Sequence, residues 1–145
     1  MRRGLIAWSK EQVPASALED FLGQVLGDNG ETFVREAYET NLARATPDTR
    51  AAVLGSLAGT DRATLGGAYT ALFATDARAL LLRYPGSLRL IVDAANDSPM
   101  SLHVQVPDLD IVPIEGSSHW LMLDRPEDFG LALKEFLDAT SEPPQ

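Results

Sequence analysis

The stretch that decides the fold is Leu88-Arg89-Leu90-Ile91-Val92-Asp93-Ala94-Ala95-Asn96-Asp97-Ser98-Pro99. It follows Pro85-Gly86 and holds an apolar run of strand length that stops in a segment rich in turn formers. A strand with turn residues at its carboxyl end is where open α/β sheets place their ligands. Downstream, Asp110 to Glu115 reads as a second short strand. Its Pro113 cannot donate to a sheet ladder and so belongs at an edge or at the strand's limit. Gly116-Ser117-Ser118-His119-Trp120 is the loop at that strand's carboxyl end, and Asp124-Arg125-Pro126-Glu127 opens a closing helix with Phe129, Leu133, Phe136 and Leu137 on one face.

Upstream the period is helical. Leu18, Phe21, Leu22, Val25 and Leu26 form one amphipathic face, preceded by Ser16-Ala17-Leu18-Glu19 at capping-box spacing and stopped by Gly27, Asp28, Asn29 and Gly30. Phe33, Val34, Ala37, Tyr38, Leu42 and Ala45 predict a second helix, and Thr46-Pro47 supplies an N-cap and first-turn proline for a third. A fourth follows Thr60-Asp61, weakened by Gly66-Gly67, and Asp76 caps a short fifth over Ala77 to Arg83. At the other end of the chain Gly4 to Trp8 is a continuous apolar run of strand length that Pro14 interrupts. The expected division is one domain of three parts: residues 1–13 as a first strand region, 14–84 as a helical segment, and 85–145 as a strand, strand, helix unit.

Composition narrows the function. With 145 residues, 45% apolar and 23% charged, the chain predicts a single soluble domain. It has no cysteine, which excludes a disulfide framework, a thiol nucleophile and sulfur-ligated zinc, and His103 and His119 alone leave little for a metal. No cofactor and no metal are expected. A net charge of −9 with scattered arginines disfavours nucleic acid and anionic membrane surfaces. The run Ala63 to Thr75 is too short to span a bilayer, and the apolar run after Arg2-Arg3 ends too soon for a secretory signal, so a cytoplasmic location is expected.

If the two strands are parallel, the loops holding Asp97 and His119 lie at one edge of the sheet. A carboxylate that fixes one imidazole nitrogen leaves the other free to take a proton from a nucleophile. The plain alternative is a turn sequence and a packing histidine. Asp93 could replace Asp97 as the acid, but it reads better as a polar residue closing the strand. His103 reads as a surface residue, and Phe33, Tyr38, Tyr69 and Phe73 as packing. Trp8 reads as core. Trp120 is placed against a substrate, with core packing as the other reading.

The wording of the first stretch together with Ile114-Glu115-Gly116-Ser117-Ser118-His119-Trp120-Leu121-Met122-Leu123-Asp124-Arg125-Pro126-Glu127-Asp128-Phe129 resembles the carboxyl-terminal part of the α/β-hydrolase family. The resemblance implies that Asp97 ends strand seven as the triad acid, that His119 is the base after strand eight, that Ala15 to Arg83 forms the helical cap, and that Arg3 to Trp8 is strand six. The implied fold is α/β: a partial, three-stranded hydrolase-like sheet with a mostly helical cap. The chain departs from that family in lacking the Gly-x-Ser-x-Gly nucleophile turn, because Gly55-Ser56-Leu57-Ala58-Gly59 has its serine in second place inside a helical period. Ala94 stands where the family usually has glycine. Three readings follow: a hydrolase component active in ester or related acyl hydrolysis when another chain supplies serine and oxyanion hole; a non-catalytic small-molecule-binding or dimerisation module; or an inactive fragment of a longer hydrolase. An unpaired edge on the first strand would be covered by a second copy or by a partner chain.

Overall fold

The computed structural model describes residues 15–96, 98, 101–106 and 108–141. The first strand expected at Gly4 to Trp8 and the acid Asp97 lie outside the described residues. Five helices come first: α1 Ala15–Leu26, α2 Gly30–Asn41, α3 Pro47–Ala58, α4 Arg62–Ala74 and α5 Ala77–Arg83. There follow β1 Arg89–Asp93, α6 Leu102–Gln105, β2 Asp110–Ile114, α7 Leu121–Asp124 and α8 Pro126–Ser141. The protein is thus α/β, mostly helical, with a small parallel sheet. Among the described residues that sheet has two strands and not three.

Helix starts follow the local chemistry of the sequence. Thr46 Oγ1 accepts from the Thr49 amide at 3.2 Å, Asp61 Oδ1 from Thr64 at 2.9 Å, and Asp76 Oδ1 from Ala79 at 2.8 Å. Each satisfies a first-turn amide that has no partner within its helix. One boundary differs from the expectation. Gly30 does not end a turn but opens α2, because the chain folds back so tightly that a Cβ there would lie 2.0 Å from the Val25 carbonyl oxygen.

The helical segment has its own core. Val25, Val34, Tyr69 and Phe73 are buried together. Phe21 meets Phe33, Tyr69 and Phe73 edge to face, with ring centroids 5.6, 5.0 and 5.6 Å away, a geometry favoured by the ring quadrupoles. A second, smaller core lies where α8 covers the strands and includes Ile114, Leu121 and Ala132. There the Arg89 guanidinium sits 5.7 Å from the centre of the Phe136 ring, bonds Asp110 at 2.6 Å, and donates to the Ala132 carbonyl at 3.2 Å.

β1 and β2 pair in parallel, Arg89 opposite Asp110 through Asp93 opposite Ile114. Their carboxyl ends therefore lie side by side. The Ala94 amide donates to the Ile114 carbonyl at 3.1 Å, so Ile114 turns its backbone groups toward β1. Its neighbour Pro113 turns the other way, and the amide that proline lacks belongs to the outer edge of β2. That is the edge position expected for it. Among the described residues, no helix is long and apolar enough to cross a membrane.

Candidate functional site

Gly116 makes the turn out of β2 at a φ of 67°, in the left-handed region that glycine enters without steric cost. The chain then folds back on itself through Ser117 and Ser118, 1% and 0% exposed. The Ser117 hydroxyl donates to the Ile114 carbonyl at 3.1 Å. The Ser118 amide and hydroxyl both donate to Asp124 Oδ2, at 2.8 and 2.5 Å, and the Ser118 oxygen accepts from the Trp120 amide at 3.2 Å. Both serines are therefore committed to holding the loop.

Asp124 closes the arrangement from the other side. Its Oδ1 accepts from the amide of Thr46, 78 residues earlier, at 2.8 Å. One buried carboxylate thus ties the α2–α3 junction to the loop that carries His119. Reading the sequence placed Asp124 only at the opening of the last helix; its hub role was missed, as was the single turn α7 that presents it.

Held this way, His119 projects at the carboxyl edge of the sheet and is exposed, and its ring meets the half-buried Trp120 at 5.2 Å, edge to face. Desolvation by the surrounding protein is the larger influence on the imidazole and lowers its pKa; the negative charge of Asp93 acts in the opposite direction. A neutral imidazole at neutral pH is the form that accepts a proton.

Asp93, the last residue of β1, is the described carboxylate nearest in effect to His119. Its Oδ1 accepts from the Ala95 amide at 3.0 Å and its Oδ2 is paired with Arg44, in the turn after α2. It does close the strand, as its position suggested, and it also ties the helical segment to the sheet edge. Asn96 shapes the adjoining turn, its Oδ1 accepting from the Ser101 hydroxyl at 3.0 Å. Trp120 lies with its ring 5.5 Å from that of Tyr38 on α2, so Tyr38 belongs to this junction and not only to the packing expected for it. Desolvation first, and the neighbouring Tyr38 second, push the phenol of the buried Tyr69 above its ordinary pKa.

The two ends of the strands, the turn after α2 and the His119 loop therefore meet in one place. Among the described residues no group of three metal-ligating side chains forms. No family model matches this chain, and neither a curated protein nor a solved structure does.

Proposed function

We propose that this chain is the acid-and-base part of an α/β-hydrolase-like acyl hydrolase, with His119 as general base and the serine nucleophile and oxyanion hole supplied by a second polypeptide segment. The observation that carries this reading is the parallel pairing of β1 and β2, which brings the turn after Asp93 and the His119 loop to the same sheet edge, where Trp120 meets Tyr38 of α2. One imidazole nitrogen takes the proton of the attacking hydroxyl while the other donates to a carboxylate. The resemblance assigns that carboxylate to Asp97. His119 then returns the proton to the leaving alcohol, and water, deprotonated by the same imidazole, releases the acid from the acyl-enzyme. Trp120 and Tyr38 supply an apolar wall for the acyl group or the alcohol. The substrate class is an ester or a related acyl compound, and the location expected is cytoplasmic.

Ser117 and Ser118 favour a second reading for the chain by itself. Both are buried and hydrogen-bonded within the fold, so neither hydroxyl is placed to attack a substrate, and alone the chain acts as a binding or dimerisation module. The test is labelling with a fluorophosphonate, which reacts with activated serines, on the complex the chain forms in its own host. The catalytic reading expects the label on a second chain, together with ester hydrolysis that falls by at least about 10³-fold in His119→Ala. An unchanged rate in His119→Ala removes His119 from the mechanism. A homodimer without label supports the binding module instead.

A further inference from the structure

Five side chains, linked by the ring contacts, the ion pair and the electrostatic influence already described, close a circuit at the exit of α2. Tyr38 meets Trp120, Trp120 meets His119, His119 feels Asp93, and Asp93 is paired with Arg44, which follows α2 in the chain. Asn41, the last residue of α2, stands between Tyr38 and Arg44 and shares the helix face of Tyr38 one turn earlier. Its Nδ2 is sealed from solvent and has no acceptor among the described residues. A buried amide donor without an acceptor is rare and costly in a folded protein, and each instance calls for an explanation.

We propose that this circuit is a binding site for a small monocarboxylate with an apolar body, which enters by exchanging with Asp93 on Arg44 and takes the Asn41 amide as its second donor. The Arg44 side chain is 45% exposed, so its guanidinium is reachable from solvent, whereas that of Asp93 is 12% exposed and keeps the Ala95 amide on Oδ1 when Oδ2 gives up Arg44. Guanidinium is a planar fork of five donors that matches a carboxylate, and the bond to Asp93 uses Nη2. A carboxylate has one oxygen for Arg44 and a second for the Asn41 amide, whereas a neutral amide head group has a single acceptor oxygen and a cationic one has none. The Trp120 and Tyr38 rings face the apolar body. Recognition is local, because a protein with a net charge of −9 does not draw anions by its overall field. Displaced Asp93 stays at the carboxyl end of β1, where its charge is free to act on His119.

The proposal rests on the placement of the His119 loop and not on hydrolysis, so it is tested on the full chain alone. The probe is sodium phenylacetate, with phenylacetamide as the neutral control, followed by calorimetry and by the side-chain amide signals of Asn41. Phenylacetate is expected to saturate in the millimolar range or below and to bind about tenfold tighter than phenylacetamide. The Asn41 amide signals should shift on binding, and Arg44→Met and Asn41→Leu should each weaken phenylacetate by about tenfold. Asn41→Leu should keep or raise the Tm, since it removes an unpaired donor. Unsaturable phenylacetate, unmoved Asn41 signals, or equal affinity in both variants would overturn the site. So would a lowered Tm in Asn41→Leu, which would mean that the amide is already satisfied in the fold. None of these results bears on fluorophosphonate labelling, and a failure to label leaves the titration unaffected.

Discussion

Asp124 is 8% exposed, and burial, the largest single influence on it, favours its neutral form. The Ser118 hydroxyl and the amides of Thr46 and Ser118 donate to it and together prevail, so its pKa lies below the ordinary carboxylate value. A carboxyl group whose pKa is depressed by folding contributes stability that is whole above its unfolded pKa, near 4, and is lost as the pH falls through the folded value. The urea midpoint of the wild type is therefore expected to fall more between about pH 5 and about pH 2 than that of Asp124→Asn. Asp124→Ala should cost about 2–4 kcal/mol in the same denaturation measured at pH 7, because it leaves the buried amide and hydroxyl of Ser118 and the part-buried amide of Thr46 unpaired. This role was not legible in the sequence. An aspartate just ahead of Arg125-Pro126 has the local look of a helix cap, and only the fold of the Gly116 turn reveals which amides it accepts from. The position of His119 on the loop after β2 was legible, because a strand, a glycine turn and a histidine lie next to one another in the chain. Asn41 gave no signal at all, since a polar residue near a helix end is commonplace.

Glycines separate what helical period can and cannot predict about the elements. Gly67 sits in α4 with nothing within 4 Å of the position a Cβ would take. Gly67→Ala should therefore raise stability by about 0.5–1 kcal/mol, the ordinary difference in helix propensity. Gly66, next to it, would place a Cβ 2.8 Å from Leu26 Cδ2. That contact must be relieved by moving the exposed Leu26 side chain, so Gly66→Ala should gain less than Gly67→Ala. At Gly30 the obstacle is the backbone carbonyl of Val25, which cannot swing aside. Gly30→Ala is expected to cost about 1–3 kcal/mol. Thermal melts of the three variants give the order Gly67→Ala, Gly66→Ala, Gly30→Ala from most to least stable. The caps at Thr46, Asp61 and Asp76 were readable because a cap depends on its own next three residues. The reversal at Gly30 was not, because it depends on how α2 folds back on α1, and α7 was not, because one turn is too short to show a period.

At the scale of the whole molecule the two cores are unequal. The helical segment buries Val25, Val34, Tyr69 and Phe73 together, whereas all five residues of β1 are only half-buried. A parallel sheet ordinarily has both faces covered, and a two-stranded one has little stability of its own. Native-state hydrogen exchange should therefore find the slowest amides in α1 and α4, with those of β1 and β2 opening first. Asp124→Ala should widen that gap, because it removes one of the ties between the two parts; equal exchange in both would contradict the division into two cores.

Pro113 adds a consequence for growth. On the outer side of β2 a newcomer meets a residue with no hydrogen to offer, so extension of the sheet is blocked there. In the vocabulary of polymer chemistry the sheet of the described residues is monofunctional: it couples once, through the β1 side, and coupling leaves no reactive end. Assembly by strand addition is then self-limiting. Light scattering over rising concentration should level off at the mass of a pair. Pro113→Val would restore the second functional end, and a mass that climbs without a plateau is the result expected of that variant.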